Sequence, residues 1–316
     1  MTRHVLIAAL LLAAAGTLVL MEKPARVQAN AAVPDTVPAE AVEALRQGRY
    51  LRASLILRDY LASSADSTPS ALLVTARAEA GWGDWEMVER LLAGRDWLDS
   101  LSSGRGWYLL GRGQLELGRY EESGRSLARY LEVAEDLADH DRGLAELRRA
   151  AALRGAGQYE DALAAYDRAR ELMPQVGDWI MVYAAGAAAD AGDTTAVRRR
   201  LAPAGADLAR DWGWRLRVRA HTTAENPTEA LILAEAAGEN AALTANRRSE
   251  AWLRAGEIRL QRADSGGARA AFLRSMTLAP GGTGIEAARM LSELHGLSAS
   301  DRLQIGRLYL RHGNAE

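Results

Sequence analysis

The 316-residue sequence has no cysteine, a single lysine and a single phenylalanine. Without cysteine there are no disulfides, thiolate nucleophiles, cysteine metal sites or lipid-modified N-terminal cysteine. The one lysine, Lys23, stands beside an apolar leader. The remaining chain therefore has no lysine for a phosphate-binding loop or a Schiff base, and every other basic residue is Arg. A GC-rich coding sequence accounts for Arg in place of Lys. No charge of one sign prevails, with Lys+Arg 39 against Asp+Glu 41. A global field that would draw nucleic acid or an acidic membrane is thereby excluded. β-Branched and aromatic residues are sparse, while Ala, Leu, Arg and Glu dominate, which is a helix-forming mixture.

The one long apolar run lies at the start. Arg3 gives a positive beginning, Val5 to Met21 is uncharged and apolar, and Ala29-Asn30-Ala31 has the small-x-small form of a cleavage site. Residues 1–31 are read as an export signal, or an uncleaved N-terminal anchor, which places the body outside the cytoplasm, in the periplasm. Residues 32–38, with two prolines, are a short linker.

From residue 39 to 316 one phrase recurs: a helical stretch, glycine, a polar residue, an aromatic, then a second helical stretch. Its copies begin at Gly48, Gly83, Gly118 and Gly157, and Gly192 follows without the aromatic, at spacings of 35, 35, 39 and 35. Glycine ends the first helix because it tolerates left-handed dihedrals. Five residues later stand Ala53, Val88, Ser123, Ala162 and Val197, which let paired helices approach. Four further on stand Leu57, Leu92, Leu127, Tyr166 and Leu201, which fill the groove so formed. Glu121, Glu122, Glu160 and Asp161 open second helices, where they complement the positive helix end and are not catalytic pairs.

These columns resemble the tetratricopeptide repeat family, whose period is about 34 residues. Trp107, Leu110, Gly111, Gly118 and Tyr120 stand in its W-x-x-L-G frame and turn. Gly157, Tyr159, Ala162, Tyr166, Ala169 and Pro174 match the turn and second helix, and Trp252, Gly256, Ala268, Phe272 and Pro280 give a third copy. The resemblance implies an all-α fold, a right-handed α-solenoid whose concave face is lined by first helices. Units start near Pro34, Pro69, Gly104, Gly143, Asp178, Asp211, Ser249 and Ala299, with an extra helix over Ile285 to Leu294. The unit around Glu225 to Pro227 is weak, and Pro203 with Gly205 shortens one second helix. The last first helix, Asp301 to His312, lacks a partner. The array is therefore expected to be truncated, with Leu303, Leu308 and Leu310 forming an exposed stripe.

Arg77, Arg112 and Arg219 share a column that in tetratricopeptide domains faces the concave groove, where forked guanidinium groups can grip a carboxylate or an acidic peptide. Arg215 lies one turn from Arg219. Trp212 and Trp214, interleaved with arginines, are candidates for stacking on sugar rings, while Trp107 and Trp252 belong to a buried column. His4, His140, His221, His295 and His312 have no metal-binding spacing, so no metal and no cofactor are assigned. Glu122-Ser123 has the glutamate-serine form of the lytic transglycosylase acid, but Ser123 fills the small-residue column, and no catalytic residue is assigned. Two stretches, from Asp178 to Leu201 and from Asp301 to Asn314, are similar to the N-terminal superhelix of periplasmic soluble lytic murein transglycosylases. That resemblance implies a noncatalytic segment that positions peptidoglycan. The expected partners are a protein or peptide, or peptidoglycan, and not nucleic acid. The chain as given is not expected to be an enzyme.

Overall fold

The computed structural model describes residues 37–63, 68–203 and 205–312, and among them it is all-α, without a strand. The leader and nearly all of the linker lie outside the described residues, as do Gly313 and Asn314. No described helix is long and apolar enough to cross a membrane. The chain divides into two compact units, residues 1–117 and 118–316.

In the first unit, helices α1 (Ala39–Arg46), α2 (Tyr50–Ser63), α3 (Pro69–Trp82), α4 (Trp85–Leu92) and α5 (Arg105–Glu116) each pack on the next, and α3 also touches α5. The second unit runs through α6 (Tyr120–Val133), α7 (Asp139–Gly155), α8 (Tyr159–Leu172), α9 (Gly177–Asp190), α10 (Thr194–Leu201), α11 (Ala206–Thr223) and α12 (Pro227–Glu239). It ends with α13 (Ala245–Gln261), α14 (Ser265–Leu278), α15 (Gly282–Ser292) and α16 (Ala299–Arg311). Here too neighbours in sequence are neighbours in space, and α9 meets α11 as α13 meets α15.

The turn residues behave as the spacing predicts. Gly48, Gly83, Gly118, Gly157 and Gly192 all have φ between 70 and 98°. The same turn recurs in the two repeats that lack the glycine, at Glu225 with φ 55° and Ala263 with φ 60°. There the amides of Asn226 and Asp264 donate to the carbonyls of His221 and Arg259 at 2.8 and 2.9 Å, as that of Asp193 does to Ala188. The side chains of Asn226 and Asp264 then cap the following helices, accepting from Glu229 and Gly267. These bonds hold non-glycine residues in the left-handed region.

Both packing columns are buried: Ala53, Val88, Ser123, Ala162 and Val197 are inaccessible, and Leu57, Leu92, Leu127, Tyr166 and Leu201 are no more than 7% exposed. The recurring aromatic has its own role. Within the first unit the Tyr50 ring lies on Gly81, where a Cβ would come within 2.2 Å of it. Within the second, the Tyr120 ring lies on Gly155, at 2.5 Å from such a Cβ. Tyr50 and Tyr120 thus each cover a glycine near the end of a later first helix, and a methyl there has no room. Gly155→Ala should destabilise by about 1 to 3 kcal/mol through overpacking, outweighing alanine's roughly 1 kcal/mol advantage in helix propensity. Urea unfolding measures it, and a variant as stable as the parent would remove this contact as the reason for the glycine.

Several expected boundaries move. First helices α7, α11 and α13 begin at 139, 206 and 245, some four or five residues before the predicted unit starts at Gly143, Asp211 and Ser249. At α13 the cause is a cap, the Thr244 hydroxyl accepting from the Arg247 amide. Helix α4 stops at Leu92 and two 3-10 turns, Asp96–Asp99 and Leu101–Gly104, replace the rest of a second helix. Gly94 at φ 70° and Ser102 and Ser103, each at φ 52°, turn the chain there. Trp107 is only half-buried, its indole N–H donating to Asp99 at 2.8 Å, whereas Trp252 is buried as expected. Helix α10 ends at Leu201, in keeping with the expected shortening.

The expected apolar stripe on α16 is corrected at one position. Leu308 is buried with Ile305 against Leu291, Ala287 and Phe272, while Leu303 and Leu310 are exposed. A capping box starts this helix, with Ser298 and Asp301 satisfying each other's backbone amides. Arg269 of α14 donates to both oxygens of Asp301, at 2.8 and 2.9 Å. Chiefly through Arg269, and with help from Ser298 against the cost of burial, the Asp301 carboxyl is held down to about 2. A depressed folded-state value means this anchor is fully present above the ordinary carboxylate range near 4 and is lost as pH falls through about 2. Carboxyl NMR titration should give a midpoint near 2 that moves up towards 4 in Arg269→Ala; an unmoved midpoint would show that Arg269 is not the cause.

Candidate functional site

The arginines and tryptophans selected from the sequence fall in both units. Arg77 and Arg112 belong to the first, and Arg219, Trp212 and Trp214 to the second. Arg77 of α3 is half-buried and has no hydrogen bond or ion pair among the described residues. Burial, with the charge of Arg105 adding to it, lowers its pKa. Arg112 of α5 lays its guanidinium 4.8 Å from the centre of the Trp85 ring, with its Nε buried and unpartnered. It is a packed cation and not a free surface arginine.

In the second unit the surface is built on first helices α7, α9 and α11. Arg154, near the end of α7, reaches Asp190 of α9 with Nε at 2.6 Å from Oδ2. Arg219 of α11 reaches the same carboxylate, with Nη2 at 2.8 Å from Oδ1, and donates to the Gly186 carbonyl at 2.9 Å. Gly186 leaves space for this arrangement, since a Cβ there would lie 3.0 Å from Arg154 Nη1. Two guanidinium groups therefore share one carboxylate, an excess of positive charge on a partly buried surface.

The protonation equilibria reflect that crowding. Burial lowers the Arg219 pKa, Asp190 opposing it while Arg154 and Arg254 reinforce it. Burial also disfavours the Arg154 cation, yet Asp190 and Tyr166 outweigh it and raise its pKa. Burial, and beside it Tyr166, pushes the Tyr183 phenol up to about 12. Arg154 and Arg219 serve here as hydrogen-bond donors to Asp190 and, for Arg219, to the Gly186 carbonyl. Among the described residues no cluster of His, Asp and Glu can hold a metal ion.

Trp212 and Trp214 are both half-buried, and their rings are already engaged. Arg215 stacks 5.3 Å from each ring centre, and Arg247 approaches Trp212 to 5.9 Å. Arg215 is itself held by both oxygens of Glu250. Arg215, one turn from Arg219, is thus a structural cation. Sequence reasoning missed Arg154 and Asp190, which complete the Arg219 cluster. Their signal is faint, because each sits near a first-helix end, outside the column that holds Arg219. Glu122 is exposed and Ser123 fully buried in the packing column, so this pair presents no joint surface. No protein-family model matches the chain, and no curated protein matches it.

Proposed function

We propose that the chain is an exported, noncatalytic α-solenoid of tetratricopeptide type that binds anionic protein or cell-wall partners on the surface formed by first helices α7, α9 and α11 of its second unit. The observation that carries this reading is the shared carboxylate of Asp190: Arg154 and Arg219 both lean on it, leaving one guanidinium charge uncompensated. A peptide or glycan carboxylate supplies the missing charge through forked hydrogen bonds, which are about twice as strong as neutral ones. The recurring turn, the two buried columns and the packing of next-but-one helices α9 with α11 and α13 with α15 support the repeat reading. Export rests on the pattern of residues 1–31. The likeness to the noncatalytic superhelix of lytic murein transglycosylases points to peptidoglycan, whose stem peptides end in carboxylates.

Sedimentation with purified peptidoglycan, against a neutral polysaccharide such as cellulose, tests the proposal. The parent chain should be retained on peptidoglycan alone. Arg219→Ala, alone and with Trp212 and Trp214 substituted, should lose at least tenfold in retention, the order of 1.4 kcal/mol. Equal retention on both polymers, unchanged by the substitutions, would leave this surface without a ligand.

A further inference from the structure

We infer that a cavity between α10, α11 and α12 binds a small amphiphilic anion, an apolar body carrying a carboxylate or phosphate head. The cavity has a volume of about 430 Å³, within the range of small-molecule sites. Arg210, Trp214 and Arg217 follow one another at helical spacings on α11 and so share a face, with Gly213 opening the space beside them. Arg198 comes from α10, while Leu201, Leu233 and Leu243 supply apolar walls.

Three properties select the ligand. No Asp or Glu lines the cavity, so its charge is positive throughout. Arg198 and Arg217 have no ion pair or hydrogen bond among the described residues. Among the described residues Arg210 is held only by its helix neighbours Asp207, at 2.7 Å, and Asp211, at 3.5 Å. A bare inorganic anion would satisfy these cations but leave the half-buried Leu233 and the Trp214 ring uncovered. An uncharged apolar molecule would cover the walls and desolvate the cations. Only a molecule with both parts meets both demands. The Trp214 indole nitrogen, buried with no acceptor, adds a donor still without a partner in that wall.

A second cavity of the same unit makes the contrast. It has about 390 Å³, and the cations that line it, Arg259 and Arg274, are paired with Glu235 and Glu239, which line it as well. Its charges cancel locally, and it lacks the unpaired cations of the first.

Of the residues tested above, Trp214 also lines this cavity while Arg154, Asp190 and Arg219 do not, so Arg219→Ala alone reports the macromolecular reading and Arg198→Ala with Arg217→Ala reports this one. Isothermal titration of the purified chain with octanoate, octyl phosphate, acetate and octanol, all below micellar concentrations, tests it. Octanoate or octyl phosphate should bind saturably at one site, the tighter of the two identifying the head group, while acetate and octanol should bind at least tenfold more weakly. Arg198→Ala with Arg217→Ala should weaken the anion at least tenfold. Both side chains are exposed and unpaired, so circular dichroism should stay at the parent value. Gly213→Met is the complementary variant, filling the space while leaving every arginine in place; a Cβ there meets only Leu201 Cδ1, at 3.8 Å. It should also abolish binding. Failure of both amphiphiles to bind, octanol binding as tightly as octanoate, or binding unchanged in both variants would each overturn the site.

Discussion

Tyr166→Ala is expected to lower the stability of the second unit by about 3 to 5 kcal/mol, the range for truncating a fully buried aromatic. The ring is 2% exposed and packs among Leu153, Ala162, Ala169, Met173, Ile180 and Ala184, which come from α7, α8 and α9 and the segment between the last two. Many of these neighbours are alanines, whose short side chains cannot move into the vacated space, so the cavity stays open. The hydroxyl adds a bond to Arg154, whose Nε in turn holds Asp190. Tyr166→Phe isolates that part and should cost about 1 kcal/mol. Leu127→Ala, in the same column one repeat earlier, should cost about 2 to 5 kcal/mol. Arg112→Ala, which loses a cation–π contact, should cost about 1 kcal/mol. Chemical denaturation of the series gives the order. An arginine variant less stable than either column variant would sink the assignment of the column as core.

Glu79→Ala should destabilise the first unit by about 3 kcal/mol, the scale of breaking a buried ion pair from one side. Its carboxylate is inaccessible and accepts four hydrogen bonds. Ser54 Oγ and Arg58 Nε reach Oε1, each at 2.8 Å, while Arg58 Nη2 and Trp82 Nε1 reach Oε2 at 2.7 and 2.8 Å. Removing it strands a buried hydroxyl and takes one of two carboxylates from Arg58, which keeps Asp84 at 2.7 Å. The residual exposure of Arg58, at 36%, lets water soften the loss, which holds the expectation to the lower end of the range. Glu79→Gln keeps the shape and should cost less than the alanine variant. Thermal melting of both distinguishes the cases: an alanine variant no worse than glutamine would mean that the network contributes geometry without stability.

The difference between these two sites is instructive about legibility. Tyr166 was readable because it repeats: the same offset from a turn glycine yields Leu57, Leu92, Leu127 and Leu201, and periodicity turns one buried residue into a column. Glu79 was not, since it repeats nowhere. It stands at an alanine-rich stretch of α3, and its partners Ser54 and Arg58 lie 25 and 21 residues away. The same holds for the proposed binding surface. Arg219 stands out by column, but its partner Asp190 belongs to the preceding first helix, and Arg154 to the one before that.

By itself the sequence determined the class of the fold, the register of five turns and which residues fill the two packing columns. These follow from local rules: left-handed dihedrals select glycine, and helical periodicity selects the buried face. Tertiary structure alone decided how the repeats without glycine make the same turn, at Glu225 and Ala263, and which arginines are spent on structure. Arg215 goes to Glu250, Arg269 to Asp301 and Arg259 to Glu235, while Arg198 and Arg217 stay unpaired among the described residues. The physical reason is range. A turn or an amphipathic face is specified within a few residues, whereas the charge state of a surface depends on which side chains from successive helices meet across about thirty, and nothing in an arginine's own neighbourhood encodes that meeting.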